Sequence, residues 1–393
     1  RNRAAIIAQG TQQDPIVLTG TSSQRGFWKG LSMESTTHAR NVLEWVTVEY
    51  TGGAGLSGVE DASVMLLDGE ARIQNSTFQE SAGYAVAVGR ISTITAPAGN
   101  QYTKSALGSP WSWATAVPSL NGADLTGTDV DEVVVLPINI VLSAVWPQAV
   151  YRILQGVNLA VTGGVLTLAP GSTLLFEEGQ AMSVTRPGEL SAVGSAGAPI
   201  LLSGTVQVRG HWDGLGFFGA QGHLEHVTVE YGGRESFGGV SEKANLVLTR
   251  AGSAEPSNVT IRSSTFRESA EYGLWVRLNT GLPSFDANTL TSNALAPIYL
   301  HPSVADQLTG SSTFSGNGVD EVIVEVASGF GITSAVTWRD LGVPYYLQFQ
   351  VGPVLAVDAP WTIEAGVEVL MEADLGISIQ NGATLTAKGA QDD

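Results

Sequence analysis

The residues best suited to binding a cation are acidic side chains at two corresponding places in the chain. Asp129, Asp131 and Glu132 lie together, and Asp320 stands 189 residues after Asp131, at the matching position of the second half. Carboxylate oxygens are the ligands that calcium prefers, which makes Asp129, Asp131 and Asp320 a candidate calcium site. Asp131 and Glu132 are adjacent, however, so on a strand they would point to opposite sides. The alternative interpretation is a solvent-exposed start of a strand that binds no ion.

Catalysis at these acids would need a further group. Polysaccharide cleavage of the lyase type combines a cation held by carboxylates with an Arg or Lys base. The chain has four lysines, Lys29, Lys104, Lys243 and Lys388, and none is close in sequence to the acidic positions. We therefore expect no catalytic residue, and no cofactor apart from the candidate calcium ion.

Three of the five histidines fall in one short region and are potential zinc ligands: His211, His223 and His226. His223 and His226 are three residues apart, so on a strand their side chains face opposite ways. His211 and His226 also replace Phe27 and Trp45 of the first half, as tolerant surface positions would. The pattern favours surface histidines over a zinc site.

Aromatic side chains are the other binding candidates, because sugar rings stack on Trp and Tyr. Trp111 and Trp113 lie in a Pro- and Ser-rich stretch, residues 109–113, which the second half lacks in that form. We predict a loop there, and it is the best candidate in the chain for binding a ligand or partner such as a cell-surface glycan. The alternative is that both rings fold down as a lid over an exposed edge.

Composition and missing motifs exclude several function classes. Asp and Glu number 37 against 19 Lys and Arg, a formal net charge of −18, which disfavours nucleic acid and anionic lipid as partners. No apolar run is long enough for a membrane span, and Cys is absent, which removes disulfides and thiolate chemistry. Neither a P-loop, a dinucleotide-binding glycine motif nor a serine nucleophile elbow occurs.

An internal repeat must position all of these residues. Blocks of the first half return in the second at displacements between 181 and 195 residues, as small insertions between fixed blocks would cause. The blocks are apolar and the variable stretches are rich in Gly, Ser and Pro, as strands and surface turns are. We therefore divide the chain into a first module, residues 1–194, and a second, residues 195–393. The matching blocks are residues 14–20 with 198–204, 28–31 with 212–215, 43–50 with 224–231, 76–82 with 264–270, and 163–194 with 358–389.

The blocks predict short strands stacked as a parallel coil. In residues 46–50 and 227–231, Val, Val and Tyr alternate with Thr and Glu, which is the period of a half-buried strand. Hairpin signals are few, and no long stretch carries a helical apolar stripe. Polar residues recur at strand corners, as at 75–77 and 262–265, where they can cap or stack along a ladder. The predicted fold class is all-β.

Four motifs point to a family. They are Pro-Ile-Val-Leu-Thr-Gly at 15–20, Trp-Lys-Gly-Leu at 28–31, Leu-Glu-Trp-Val-Thr-Val-Glu-Tyr at 43–50 and Leu-Thr-Leu-Ala-Pro-Gly-Ser at 166–172. These blocks resemble secreted bacterial right-handed parallel β-helix repeat proteins, and the likeness covers nearly the whole chain twice. The resemblance implies a right-handed, pectate-lyase-like solenoid in one continuous coil, and an extracellular or cell-surface location. It implies no single activity, because proteins of this shape include surface proteins, polysaccharide lyases and hydrolases.

The ends of the chain carry the functional expectation. Both stand at the same phase of the repeat, and neither shows the polar cap that protects the end of a solenoid. Either the chain is a piece of a longer repeat protein, or copies stack end to end as filaments or surface layers. We expect a non-enzymatic extracellular scaffold that self-associates through its solenoid ends. The alternatives are a carbohydrate-binding adhesin and a polysaccharide lyase or hydrolase acting on the outer face of the coil.

Overall fold

The computed structural model describes residues 5–36, 40–53, 61–108, 110–236, 243–250, 255–277, 280–327, 329 and 331–389. His38 and the terminal residues, 1–4 and 390–393, lie outside the described residues. The described part of the chain consists of short strands and two 3₁₀ helices, which confirms the all-β prediction. No helix in this part is long and apolar enough to cross a membrane.

The chain divides into two compact units. The first comprises Arg1–Ile140, Ala144–Leu159 and Ser172–Leu175, and the second comprises Val141–Ser143, Ala160–Gly171 and Phe176–Asp393. The first unit contains the 3₁₀ helix Val117–Leu120 and the strands β1 (Ile7–Gln9), β2 (Ile16–Leu18), β3 (Leu31–Glu34), β4 (Val42–Glu44), β5 (Val46–Glu49), β6 (Ala62–Leu67), β7 (Glu70–Gln74), β8 (Thr77–Gln79), β9 (Tyr84–Val88), β10 (Thr93–Thr95), β11 (Gln101–Thr103), β12 (Trp111–Trp113), β13 (Val133–Leu136), β14 (Asn139–Ile140), β15 (Ala144–Trp146) and β16 (Val150–Ile153).

Two strands contain residues of both units, and the remaining strands belong to the second unit. The former are β17 (Leu159–Val161) and β19 (Thr173–Phe176), with β18 (Val165–Leu168) between them in the chain. The second unit continues with the 3₁₀ helix Pro302–Gln307 and the strands β20 (Ala181–Thr185), β21 (Glu189–Val193), β22 (Ile200–Gly204), β23 (Gly214–Phe218), β24 (Gln221–Glu225), β25 (Val227–Glu230), β26 (Ala244–Thr249), β27 (Asn258–Arg262), β28 (Thr265–Arg267), β29 (Tyr272–Val276), β30 (Phe285–Asp286), β31 (Thr289–Thr291), β32 (Ile298–Leu300), β33 (Val322–Ala327), β34 (Val336–Trp338), β35 (Tyr345–Val351), β36 (Val354–Val357), β37 (Trp361–Ile363), β38 (Val369–Met371), β39 (Gly376–Ile379) and β40 (Leu385–Ala387).

In the first unit, most strands pair with the strand three places later in the chain. One sheet runs β1-β4-β7-β10 and a second runs β2-β5-β8-β11. A third runs β3-β6-β9-β12-β13-β16. Every one of these pairs is parallel, so each strand bonds to its counterpart one rung later.

The second unit repeats this step. Its sheets run β18-β21-β24-β27-β30, β22-β25-β28-β31 and β20-β23-β26-β29-β32-β33-β35-β38. Two shorter sheets follow, β34-β37-β40 and β36-β39. All of these pairs are parallel too, an arrangement that fits a parallel β-solenoid.

The core follows the period of two. Val46 and Val48 of β5 are buried whereas Thr47 between them is half-buried, and Val227 and Val229 of β25 are buried in the same way. Aromatic rings stack inside each unit, with centroids 5.6 Å apart for Phe78 and Tyr102 and 4.3 Å apart for Phe176 and Trp212. The interior is therefore built from side chains of successive rungs.

Single residues in the left-handed backbone region turn the chain at strand corners. Trp45 joins β4 to β5 with a φ of 52°, and His226 joins β24 to β25 with a φ of 50°. Asn75 and Ser263 do the same at the next corners, with φ of 50° and 48°. The four residue types differ although their corners match in the repeat, so the rung geometry rather than the side chain sets the conformation.

Buried asparagines close the backbone at these corners. Asn100 accepts a hydrogen bond from the Ser76 N–H at 3.1 Å and donates to the Ile73 carbonyl at 2.7 Å. Asn288 makes both bonds in the second unit, to Ser264 and Ile261, each at 3.0 Å. Ser76 Oγ and Ser264 Oγ in turn accept from the Val46 and Val227 N–H groups, each at 3.1 Å, so polar side chains predicted at 75–77 and 262–265 do cap the strand corners.

Repeat-related contacts also hold the longer connections. The indole Nε1 of Trp28 donates to the Glu49 carbonyl at 2.8 Å, and Trp212 makes the same bond to Glu230. Arg25 Nε pairs with Glu80 at 2.9 Å, and Arg209 Nε pairs with Glu268 at 2.8 Å. The internal repeat thus extends from sequence to individual side-chain contacts.

Candidate functional site

Trp111 and Trp113 lie in a strand, not in a loop. They form β12, which pairs with β9 and β13 and places Trp111 opposite Ala87 and Val134. The loop predicted at 109–113 is therefore wrong for the described residues 110–113, because pairing with neighbouring rungs overrides the Pro- and Ser-rich composition. The ligand-binding role of the two rings stays a prediction.

The two rings differ in exposure. Trp111 is only 5% exposed and packs in a cluster with Ala62, Met65, Ala87 and Val134, while Trp113 is partly buried against that cluster. Their ring centroids are 6.5 Å apart in an edge-to-face arrangement. A ligand at this pair would meet mainly Trp113.

Trp111 also has a counterpart that the sequence comparison did not reveal. Its repeat equivalent is Tyr299, which is 1% exposed and packs with Trp275 and Ile323 in the second unit. Tyr299 lies opposite Trp275 and Ile323 in its sheet, as Trp111 lies opposite Ala87 and Val134. The position is thus used for packing in both units.

The candidate calcium ligands make separate local contacts. Asp129 pairs with the guanidinium of Arg25, and this hydrogen bond lowers the pKa of the Asp129 carboxyl. Asp131 accepts from the Thr128 N–H at 2.9 Å, and Asp320 accepts from the Asn317 N–H at 2.7 Å. Asp131 and Asp320 thus cap equivalent turns of the repeat.

These acids form no preformed cation cluster in the described part of the chain. Across the described residues, no three His, Asp or Glu side chains are placed to hold one metal ion. Burial raises the pKa of Asp320, but hydrogen bonds from the Asn317 and Gly316 backbone outweigh it and lower the pKa overall. Capping of the same turn in each module explains why an aspartate stands at both matching repeat positions, 131 and 320.

The three histidines that are clustered in sequence lie in different local environments. His211 Nε2 hydrogen-bonds Thr205 Oγ1 at 2.9 Å, and burial lowers the pKa of its imidazole. His223 Nε2 lies 3.5 Å from a carboxylate oxygen of Glu225. His226 occupies the left-handed corner between β24 and β25.

A polar groove of about 620 Å³ opens in the second unit where the β18-β21-β24-β27-β30 sheet ends. Val259 and Ile261 of β27 point inward and are fully buried, so Asn258 and Arg262 point outward. The groove is lined by Asn258, Arg262, Gly281, Leu282, Pro283, Ser284, Phe285, Asp286, Gln307 and Thr309.

Strand pairing brings the charged residues of this groove together. Arg262 lies opposite Glu225 on one side and Asp286 on the other. Arg262 Nε donates to Ser284 Oγ at 2.7 Å, and Ser284 Oγ donates to Asp286 Oδ2 at 2.5 Å. The Arg262 and Asp286 charges are 4.0 Å apart, and each side chain is 51% exposed.

Backbone contacts fix the far wall of the groove. Gln307 Oε1, at the end of the 3₁₀ helix Pro302–Gln307, accepts from the Leu282 N–H at 2.5 Å. Thr309 Oγ1 donates to the Phe285 carbonyl at 2.7 Å. The groove is therefore a defined surface whose walls are hydrogen-bonded to each other.

Sequence reasoning missed this groove because its residues are far apart in the chain. Arg262 and Asp286 are 24 residues apart, and only the stacking of rungs makes them neighbours. The same spacing of 24 separates Ser264 from Asn288 and Asn293 from Asn317, which are bonded pairs. A local period of 24 was the signal that could have found it.

No family model, curated protein or solved structure matches this chain.

Proposed function

We propose that this protein is a non-enzymatic extracellular scaffold, built as one continuous right-handed parallel β-helix, whose end rungs associate with further copies. Strand-to-strand crossovers within a parallel sheet are right-handed in about 98% of cases, which supports the handedness. The repeated step of three strands in each unit supports a coil. The extracellular location rests on the family resemblance.

The observation that carries the proposal is the exposure of core positions in the last described rung. Leu385 of β40 is 41% exposed, whereas its repeat equivalent, Leu190 of β21, is fully buried. Ile379 of β39 is 43% exposed, whereas its equivalent, Val184 of β20, is fully buried. Side chains that the repeat places in the core thus face solvent in this rung.

The first rung shows the same difference. Ile16 and Leu18 of β2 are half-buried, whereas their equivalents Ile200 and Leu202 of β22 are fully buried. Among the described residues, both rungs combine partly exposed apolar side chains with a strand edge that has no partner strand, and such edges favour strand addition.

A second copy of the chain is the occupant we propose. Its first rung offers a parallel strand with two half-buried apolar side chains, Ile16 and Leu18. Joining a last rung to a first rung is a head-to-tail contact that does not close, so it would give filaments. Each copy carries a formal net charge of −18, so screening by salt should strengthen the association.

Sedimentation velocity from about 1 μM to about 1 mM protein, at low and high salt, tests the proposal, since self-association depends on concentration. We expect growing assemblies that Leu385→Lys abolishes. Val206→Lys is the matched control, because Val206 is also exposed, at 52%, but lies between β22 and β23. A monomer throughout the range, or equal loss in both variants, would contradict end-to-end association.

Carbohydrate binding without catalysis is the second candidate function. The polar groove next to β30 favours it, because Arg262, Asp286 and Asn258 line one continuous surface there.

A further inference from the structure

The groove next to β30 presents hydrogen-bonding groups that the protein leaves unused. Within the described residues, Arg262 donates only through Nε, so its two terminal amino groups have no hydrogen-bond partner. The side-chain amide of Asn258 makes no hydrogen bond in that part of the chain either. These groups face a volume large enough for a ligand, since ligand sites measure about 300 to 1,000 Å³.

A glycine leaves room for the Asn258 amide in its observed position. A Cβ atom added to Gly281 would lie 2.4 Å from Asn258 Oδ1, which is closer than real contacts allow. Gly281 therefore leaves the space that the amide occupies at the groove wall.

The unused groups include both donors and acceptors. Arg262 Nη atoms donate, the Asp286 carboxylate accepts, and the Asn258 amide does both. A sugar hydroxyl also donates and accepts, so neighbouring hydroxyls of one ring can satisfy this mixed set.

The charge of the groove favours an uncharged ligand. The Arg262 charge is balanced by Asp286 at 4.0 Å, and Glu225 lies opposite Arg262 on the neighbouring strand. The lining itself carries one guanidinium and one carboxylate, and a ligand without charge can bind there without breaking their ion pair.

The dimensions match a short chain of sugar rings. Asn258 and Arg262 are four residues apart on β27, which spans about 13 Å along the strand. Pro283 is exposed at the groove and offers an apolar surface to the C–H face of a ring. A disaccharide or trisaccharide segment would reach from one polar group to the other.

We propose that this groove binds a neutral oligosaccharide, with Arg262, Asp286 and Asn258 as the specificity-determining side chains. This inference rests on the second candidate function, carbohydrate binding, and not on the association of end rungs.

Isothermal titration calorimetry with cellohexaose, mannohexaose, chitohexaose and hexagalacturonate tests the proposal on the full chain. Leu385→Lys is the background, so that self-association does not contribute heat. We expect at least one neutral hexasaccharide to bind, and Arg262→Ala and Asp286→Asn each to weaken it by about tenfold or more.

Arg72→Ala is the matched control. Arg72 belongs to the first unit, pairs with Glu44 at 3.4 Å and does not line the groove, so its loss should leave binding unchanged. Circular dichroism checks that each variant is folded. If Arg262→Ala does not fold, the nearly isosteric Asp286→Asn variant carries the test. No binding of any neutral sugar at about 10 mM, a preference for hexagalacturonate, or binding that survives both groove variants would overturn the proposal.

Discussion

At the scale of single residues, the clearest chemical perturbation is a buried histidine. His301 is 1% exposed and precedes the 3₁₀ helix Pro302–Gln307, where its Nδ1 accepts from the Ser303 N–H at 3.2 Å. Burial lowers the pKa of the imidazole to about 4. Between about pH 4 and pH 6.5, the folded protein therefore keeps this ring neutral, whereas an unfolded chain would protonate it.

This histidine predicts a loss of stability in acid. The folded pKa is below the unfolded value of 6.5, so the contribution is fully present above pH 6.5 and is lost as pH falls towards 4. At pH 5 the loss should be about 2 kcal/mol relative to pH 8. Urea unfolding of His301→Asn, which keeps a capping acceptor, should show a correspondingly flatter pH profile.

Asn121→Ala is the control for this experiment, because Asn121 is exposed and its replacement removes no titratable group. It should leave the pH profile unchanged. An identical slope in the wild type and in His301→Asn would rule out the assignment.

A half-buried aspartate gives the opposite dependence. Asp213 Oδ1 is buried and accepts no hydrogen bond within the described residues. Burial raises the pKa of this carboxyl to about 6, Arg234 opposes the shift, and Glu235 adds to it. The charged form is therefore the destabilising one.

Removing this charge should stabilise the protein at neutral and basic pH. Because the folded pKa is above the usual value of 3.8, the penalty is complete above pH 6 and disappears below pH 3.8. Asp213→Asn should raise the free energy of unfolding at pH 8 by about 1 kcal/mol, a figure reduced for partial solvent screening. At pH 3.5 the two proteins should unfold alike.

At the scale of elements, the corners depend on buried amides more than on turn propensity. Asn288 is 1% exposed and satisfies the Ser264 N–H and the Ile261 carbonyl together. The equivalent Asn100 does so in the first unit. One side chain thus joins the backbone of adjacent rungs.

Asn288→Ala should therefore be costly. It leaves a buried donor and a buried acceptor unpaired, and we expect a loss of about 2 to 4 kcal/mol in the free energy of unfolding, measured in urea. Asn121→Ala, at an exposed position beside the 3₁₀ helix Val117–Leu120, should cost under about 0.5 kcal/mol. Similar losses for both variants would contradict a structural role for the ladder.

Local patterns predicted the elements whose neighbours repeat the same pattern. The alternation at 46–50 and the polar corner at 75–77 each encode one rung, and the structure shows both. Trp111 was misassigned to a loop because its strand is defined by β9 and β13, which are distant in sequence. The groove was missed for the same reason, since Arg262 and Asp286 meet only through rung stacking.

At the scale of the whole molecule, the repeat provides pairs of equivalent residues whose burial can be compared. Leu190 and Leu385 occupy the same position of the repeat but are 0% and 41% exposed. The sequence predicted the parallel all-β arrangement, whereas exposure at a given rung depends on what covers it. Handedness and a single coil stay predictions.

Truncating these two leucines should separate internal packing from association. Leu190→Ala should lower the free energy of unfolding by about 2 to 5 kcal/mol at any concentration. Leu385→Ala should cost under about 1 kcal/mol at low protein concentration, and should instead shift assembly to higher concentration. Differential scanning calorimetry over a concentration series measures both effects. A large loss for Leu385→Ala in dilute solution would show that its side chain is already covered within one copy.

The left-handed corners have a practical consequence for protein engineering. Trp45, Asn75, His226 and Ser263 share one backbone shape despite unrelated chemistry, so these sites should accept further side chains that are not branched at Cβ. Neighbouring rungs lie about 4.8 Å apart. A combinatorial library at such positions would display chosen functional groups with a regular pitch, as an addressable template for mineral nucleation or for arrays of dyes.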